Sequence, residues 1–192
     1  MDINTNLMFS TPVWIVNFDD ARMMNKKILM DTLNYKANGD YILFDMPGEG
    51  ITEFKDKVID IAEQVARDYG ITFNTVQIRG RQHVRRPLES DPPHHHPYVD
   101  GVVGVYYLKA PKNCGDLLIH DARGSVPDIW QDPYVKQTFD TNKKNNSGYM
   151  THRVTPEPGK LILFPSYAIH SVETNLSDDL RVSLVLEFRY LS

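Results

Sequence analysis

The sequence predicts a mainly β fold of the α+β class, with N-terminal helices packed on one side of a β-sandwich or barrel. Three observations carry this. Apolar residues recur at helical spacing up to Gly70 and at a period of two after it. Pro, Gly and Asn cut the second half into short strands, the signature of an antiparallel all-β region. At 192 residues, the chain suits one well-buried domain. The expected organisation is a single domain, with helical support over 19–70, a β core over about 72–190 and an insertion over about 124–149.

The elements follow in order. "FSTPVWIVNF" (Phe9 to Phe18) is β-branched and aromatic with a proline near its start, which suits an edge strand. "DDARMMNKKILMDTLNYK" begins with acids and places Met24, Ile28 and Leu29 on one stripe, as a helix does. "DMPGEG" is loop chemistry. "TEFKDKVIDIAEQVARDYG" is the clearest helix, with Phe54, Val58, Ile61, Ala62, Val65 and Tyr69 on one face. Thr52 is the expected cap and Gly70 the expected stop. Strands are expected near Thr72 to Val84, Gly101 to Lys109, Asp116 to His120, Leu161 to Phe164, Ile169 to Glu173 and Leu180 to Tyr190. Gly124 to Tyr149 has few strand signals and reads as a long insertion, a candidate lid.

Composition excludes several functions. The formal net charge of -4 leaves no general footprint for nucleic acid. One segment, "RGRQHVRR" (Arg79 to Arg86), is basic. It reads either as a solvated strand or loop or as a rim that attracts an anionic substrate. The single cysteine, Cys114, cannot form an internal disulfide, which points to a reducing, cytoplasmic compartment and a structural role. The first residues lack a basic segment followed by a long apolar run, so no signal peptide is expected. No apolar run is long enough to span a membrane.

The chemistry concentrates in the histidines. Side chains alternate faces along a strand, so in an extended "HHHP" segment His94 and His96 point one way and His95 the other. Pro97 favours extension, because the residue before a proline is pushed out of the helical region. His94 and His96 can then grip one ion from one face. A third ligand is available in "PGKLILFPSYAIHSVETN", where His170 sits in a short apolar strand. Alone, such a histidine reads as a core residue. In "LRVSLVLEFRY", Arg181, Ser183, Val185, Glu187 and Arg189 share a face. That pattern fits a strand with one wet face. It also fits a carboxylate site, with paired donors from Arg181 and a third donor from Ser183.

Four segments together resemble the iron(II)- and 2-oxoglutarate-dependent oxygenases, and more narrowly the small members common in marine phage and bacterial genomes. They are "MFSTPVWIVNF", "HHHP" followed by "GVYYLKAP", "GDLLIHDAR", and "PGKLILFPSYAIHSV" with "RVSLVLEF". The last is the most specific, since it holds a distal histidine and an Arg-x-Ser in one frame. The resemblance implies a double-stranded β-helix core of jelly-roll or cupin-like form. It implies His94, His96 and His170 as metal ligands, and Arg181, Ser183 and Tyr107 as the 2-oxoglutarate site, with Tyr106 on the opposite side of the sheet. It implies iron(II), 2-oxoglutarate and dioxygen as cofactor and cosubstrates, with succinate and carbon dioxide released as a substrate is hydroxylated. The expected substrate is a small molecule or a peptide that the sequence does not identify, and assembly with further copies of the chain stays open.

One position departs from the wider pattern, which has His-x-Asp where this chain has His96. Two histidines and one carboxylate form the common triad for this chemistry, and three imidazoles leave the site one unit more positive. A carboxylate from Asp100, or from Asp91, is the alternative ligand. Asp121 and Arg123 read as a structural pair or as part of the pocket mouth. His120 reads as a packing or capping residue, and His83 and His152 as surface residues. Two other functions remain open at this point. One is a three-histidine cupin-like metalloenzyme that does not use 2-oxoglutarate. The other is a non-catalytic metal-binding or structural protein on the same fold.

Overall fold

The computed structural model describes residues 11–33, 43–97, 101–121 and 151–192. The expected insertion over 124–149, Arg123, Asp100 and the start of the first strand lie outside them. The described elements are β1 (Trp14–Asn17), α1 (Ala21–Leu33), a 3-10 turn (Leu43–Asp45), α2 (Glu49–Tyr69), β2 (Thr75–Arg85), β3 (Asp91–His94), β4 (Gly101–Lys109), β5 (Leu117–His120), β6 (Thr151–Val154), β7 (Lys160–Pro165), β8 (His170–Val172) and β9 (Arg181–Leu191).

Two antiparallel sheets result, ordered β1-β7-β4-β9-β2 and β3-β8-β5-β6. This is the expected architecture, a β-helix core with helices on one side. The strand expected to be an edge, β1, is one. β3 and β6 were not expected as strands. The "THRV" of β6 has little strand character, but four residues pair in register with Leu117 to His120. Tertiary pairing overrides a weak local preference here.

The central strands of the larger sheet, β7, β4 and β9, are buried on both faces, and alternation decides what each face meets. Tyr106, Leu184, Leu186 and Phe188 join Met24, Ile28, Phe54, Val58 and Ala62 in the layer under the helices. Val103, Val105, Tyr107, Phe164 and Val185 face Leu117, Ile119, Val154 and Val172 of the smaller sheet. Phe54 anchors the helical layer, with its ring centroid 4.7 Å from Tyr106 and 6.1 Å from Phe18. A fully buried side chain of this kind contributes about 1.5–3 kcal/mol.

The start of α2 corrects one expectation. Thr52 lies inside the helix, not at its cap. The helix begins at Glu49, and the Asp31 carboxylate of α1 accepts hydrogen bonds from the amides of Gly50 (2.9 Å) and Ile51 (3.2 Å). A cap supplied by a neighbouring helix leaves no local signal in sequence. The stop is as expected: Gly70 has φ 77, and its amide returns to the last turn.

Candidate metal and cosubstrate site

The two sheets bring the three predicted histidines together. His94 ends β3 and pairs in register with His170 at the start of β8. His96 lies just beyond β3, its backbone amide donating to the Ser166 carbonyl at 3.0 Å. One nitrogen from each ring lies within 4.8 Å of the others. The ring centroids of His94 and His170 are 4.2 Å apart, and those of His96 and His170 are 5.3 Å apart. His95 points outward and is exposed, as alternation requires.

Each ring is held by an oxygen on its Nδ1 side. The acceptors are the Pro92 carbonyl for His94 (2.8 Å), a Glu187 carboxylate oxygen for His96 (3.1 Å) and the Ala168 carbonyl for His170 (3.0 Å). A proton placed on Nδ1 by such an acceptor leaves the Nε2 lone pair free for a metal. The Nε2 of His96 is buried without a partner. Burial pushes the His170 ring down to about 4 and lowers His96 as well, so both rings are neutral at physiological pH. Three neutral imidazoles with this orientation fit a divalent first-row ion such as iron(II).

Among the described residues the cluster contains no carboxylate. Asp91 pairs instead with Arg85 and lies 3.9 Å from His83. Asp100 lies outside the described residues. Glu187 is the carboxylate nearest in role, acting on His96 from behind. The alternating face that it shares with Arg181 and Ser183 was the signal that could have found it.

The predicted carboxylate site lies on the same sheet face. Arg181 and Ser183 are both 2 % exposed. The register sets Ser183 between Tyr107 on β4 and His83 on β2. The Arg181 guanidinium lies 5.3 Å from the Tyr107 ring centroid. Its Nε and Nη1 are buried without partners, as is the Tyr107 hydroxyl. A buried cation and a buried hydroxyl lacking acceptors form a cradle suited to an anion. A carboxylate of 2-oxoglutarate fits that donor set.

Support comes from the helical layer. The register breaks between Tyr107 and Lys109, leaving Leu108 without a partner in β9. The buried Asn25 amide of α1 donates to the carbonyls of Tyr107 (3.3 Å) and Leu108 (3.1 Å), and its oxygen accepts from the Tyr106 hydroxyl at 2.6 Å. Tyr106 therefore faces the helices, as expected. Asn25 gives no sign of this role in sequence.

Three other histidines resolve differently. His120 bonds Ser171 at 2.9 Å and Thr151 at 3.3 Å, which fits the expected structural role. His152 is exposed, as expected. His83 is not the surface residue that the sequence implied. It is half-buried opposite Ser183, and burial, with Arg85 next, pushes it down to about 4.

With this geometry in place, comparison with known proteins identifies the class. Residues 83–187, more than half of the chain, match the family described as "Putative 2OG-Fe(II) oxygenase". The chain belongs to that family, and it is an iron(II)- and 2-oxoglutarate-dependent dioxygenase. Solved structures agree in fold. A prolyl-4-hydroxylase from Pseudomonas putida is 15% identical, with a TM-score of 0.62, covering 95% of this chain and 90% of that one. A viral collagen prolyl hydroxylase from Paramecium Bursaria Chlorella virus-1 is 11% identical, with a TM-score of 0.59, covering 100% and 97%. HygX from Streptomyces hygroscopicus, solved with iron bound, is 11% identical, with a TM-score of 0.60, covering 94% and 82%. No curated protein sequence matches the chain. The family match favours the oxygenase over the cupin-like and non-catalytic alternatives.

Proposed function

We propose that His94, His96 and His170 hold the iron, that Arg181, Ser183 and Tyr107 hold the far carboxylate of 2-oxoglutarate, and that the enzyme hydroxylates a small-molecule or peptidyl substrate. The observation that carries this reading is the pairing of a three-histidine cluster with unpartnered buried donors on one sheet face. Iron(II) bound there supplies the dioxygen chemistry, coupled to conversion of 2-oxoglutarate into succinate and carbon dioxide. The protein's part is orientation and exclusion of water. The Pro92, Ala168 and Glu187 oxygens fix the three rings. The planar Arg181 fork would bind the carboxylate, and the Tyr107 and Ser183 hydroxyls would donate to it. Val103, Phe164 and Val172 wall the interior in apolar surface.

In this proposal residues 1–192 act as one oxygenase domain, with helical support over 19–70 and a β core over about 72–190. No helix among the described residues is long and apolar enough to cross a membrane. A cytoplasmic setting, that of a host cell if the gene is phage-borne, fits the single buried, unpaired Cys114.

The test is an anaerobic titration of iron(II) and then 2-oxoglutarate into metal-free protein, followed by visible absorption. A charge-transfer band is expected in the wild type. It should vanish in His170→Ala, and Arg181→Ala should need far more 2-oxoglutarate to produce it. A band that survives His170→Ala refutes the ligand assignment.

A further inference from the structure

The smaller sheet covers the larger one unevenly along β2. Over the C-terminal half of β2, Asp91 of β3 pairs with Arg85 and approaches His83. Toward the N-terminal half, Gln77, Arg79 and Arg81 are exposed on that same face. The opposite face of β2 turns Val76 and Ile78 to the helices, which fixes the direction of the arginines. The register sets Arg79 beside Glu187, Arg81 beside Val185 and Gln77 beside Arg189. These residues form an open shelf that continues from Arg181 and Ser183 along one sheet face. It meets the histidine cluster at Glu187, which bonds His96.

The charge on this shelf is only partly offset, by the Glu187 carboxylate beside Arg79. Among the described residues, neither Arg79 nor Arg81 forms an ion pair or a hydrogen bond. The carboxylate beside them, Glu187, is already engaged by His96. A chain of formal net charge -4 thus presents two open guanidinium groups beside its metal cluster. Two residues apart on one face of a strand, their Cα atoms stand about 6.5–7 Å apart, near enough for both forks to converge on one oxyanion.

We propose that this shelf binds an oxyanion of the substrate, a carboxylate or a phosphate, so that the enzyme acts on an anionic small molecule whose reacting C–H bond lies between Arg79 and Arg81 and the three histidines. The inference rests on the site assignment above. Its rival is that the arginines only guard the β2 edge against pairing with another strand. The rival predicts no ligand.

The experiment is calorimetric titration of protein loaded anaerobically with iron(II) and saturating 2-oxoglutarate, which keeps the Arg181 site filled. The probes are phenyl phosphate and benzoate, with benzyl alcohol and benzylamine as neutral and cationic controls. Binding is expected for the anions alone, weakening as salt is raised. The tighter of the two names the oxyanion. In Arg79→Gln and Arg81→Gln, affinity should fall about tenfold per arginine removed, the low end for a charge-assisted hydrogen bond because both side chains are exposed. Affinity for 2-oxoglutarate should stay unchanged. Equal binding of the controls, equal binding by the double variant, or no anion binding overturns the proposal. If 2-oxoglutarate itself does not bind, the site assignment has failed instead. The same anion titration on iron-loaded protein alone still reads the shelf.

Discussion

Replacing Arg181 with methionine should stabilise the protein while abolishing its response to 2-oxoglutarate. The Arg181 Nε and Nη1 are buried without partners, and the residue is only 2 % exposed. Exchange of buried charge for apolar volume typically gains about 1–4 kcal/mol. The guanidinium also lies over the Tyr107 ring at 5.3 Å, and loss of that contact costs about 0.5–2 kcal/mol. The net expectation is a gain of about 1–2 kcal/mol. For a chain of this length that raises Tm by about 2–8 °C. Urea or thermal unfolding with and without 2-oxoglutarate measures both halves of the prediction. At a hundredfold excess over Kd, 2-oxoglutarate should stabilise the wild type by about 2.7 kcal/mol and the variant by nothing. A variant less stable than the wild type, or one still stabilised by 2-oxoglutarate, would falsify the view that this guanidinium is kept buried for an anion.

Three further outcomes follow from the same geometry. Glu187→Gln keeps the shape and an acceptor oxygen beside His96 but removes the charge, so iron(II) affinity should drop about 10- to 100-fold in competition with a chromophoric chelator. An unchanged affinity means Glu187 does not act through His96. Asn25→Ala strips the Tyr106 hydroxyl and the Leu108 carbonyl of a buried partner, and should cost about 2–6 kcal/mol in urea unfolding, at about 1–3 kcal/mol for each orphaned group. An unshifted midpoint contradicts the accounting. For pH, burial holds folded His83 to about 4, below its ordinary 6.5, so the unfolded chain takes up a proton first. Its contribution is complete above about pH 6.5 and is lost as pH falls toward about 4. Wild-type stability should decline across that window, and His83→Gln should flatten the decline. Parallel curves exclude His83 as the source.

The candidate site was legible in sequence because its residues sit on strands or on the extended chain just beyond one, where a period of two assigns faces without knowledge of the partner. His94, His96 and outward His95 follow from alternation alone, as do Arg181 with Ser183 and the opposition of Tyr106 to Tyr107. The helix ending at Gly70 was legible because a left-handed stop is a local event. Thr52 misled because the amides at the start of α2 are capped by Asp31, nineteen residues before Gly50. His83 misled because its burial depends on Asp91 and Ser183, brought alongside only when the sheets form.

From the sequence alone came the class of fold and the nomination of the three histidines and the arginine-serine pair, since these depend on short-range periodicity and on motifs within single segments. Tertiary structure alone decided that the histidines converge, that Glu187 stands behind His96, that Asn25 closes the broken register at Leu108, and that Arg79 and Arg81 open beside the histidine cluster. Each of these joins residues tens of positions apart. Only burial and strand register, which the whole chain sets together, bring such residues into contact.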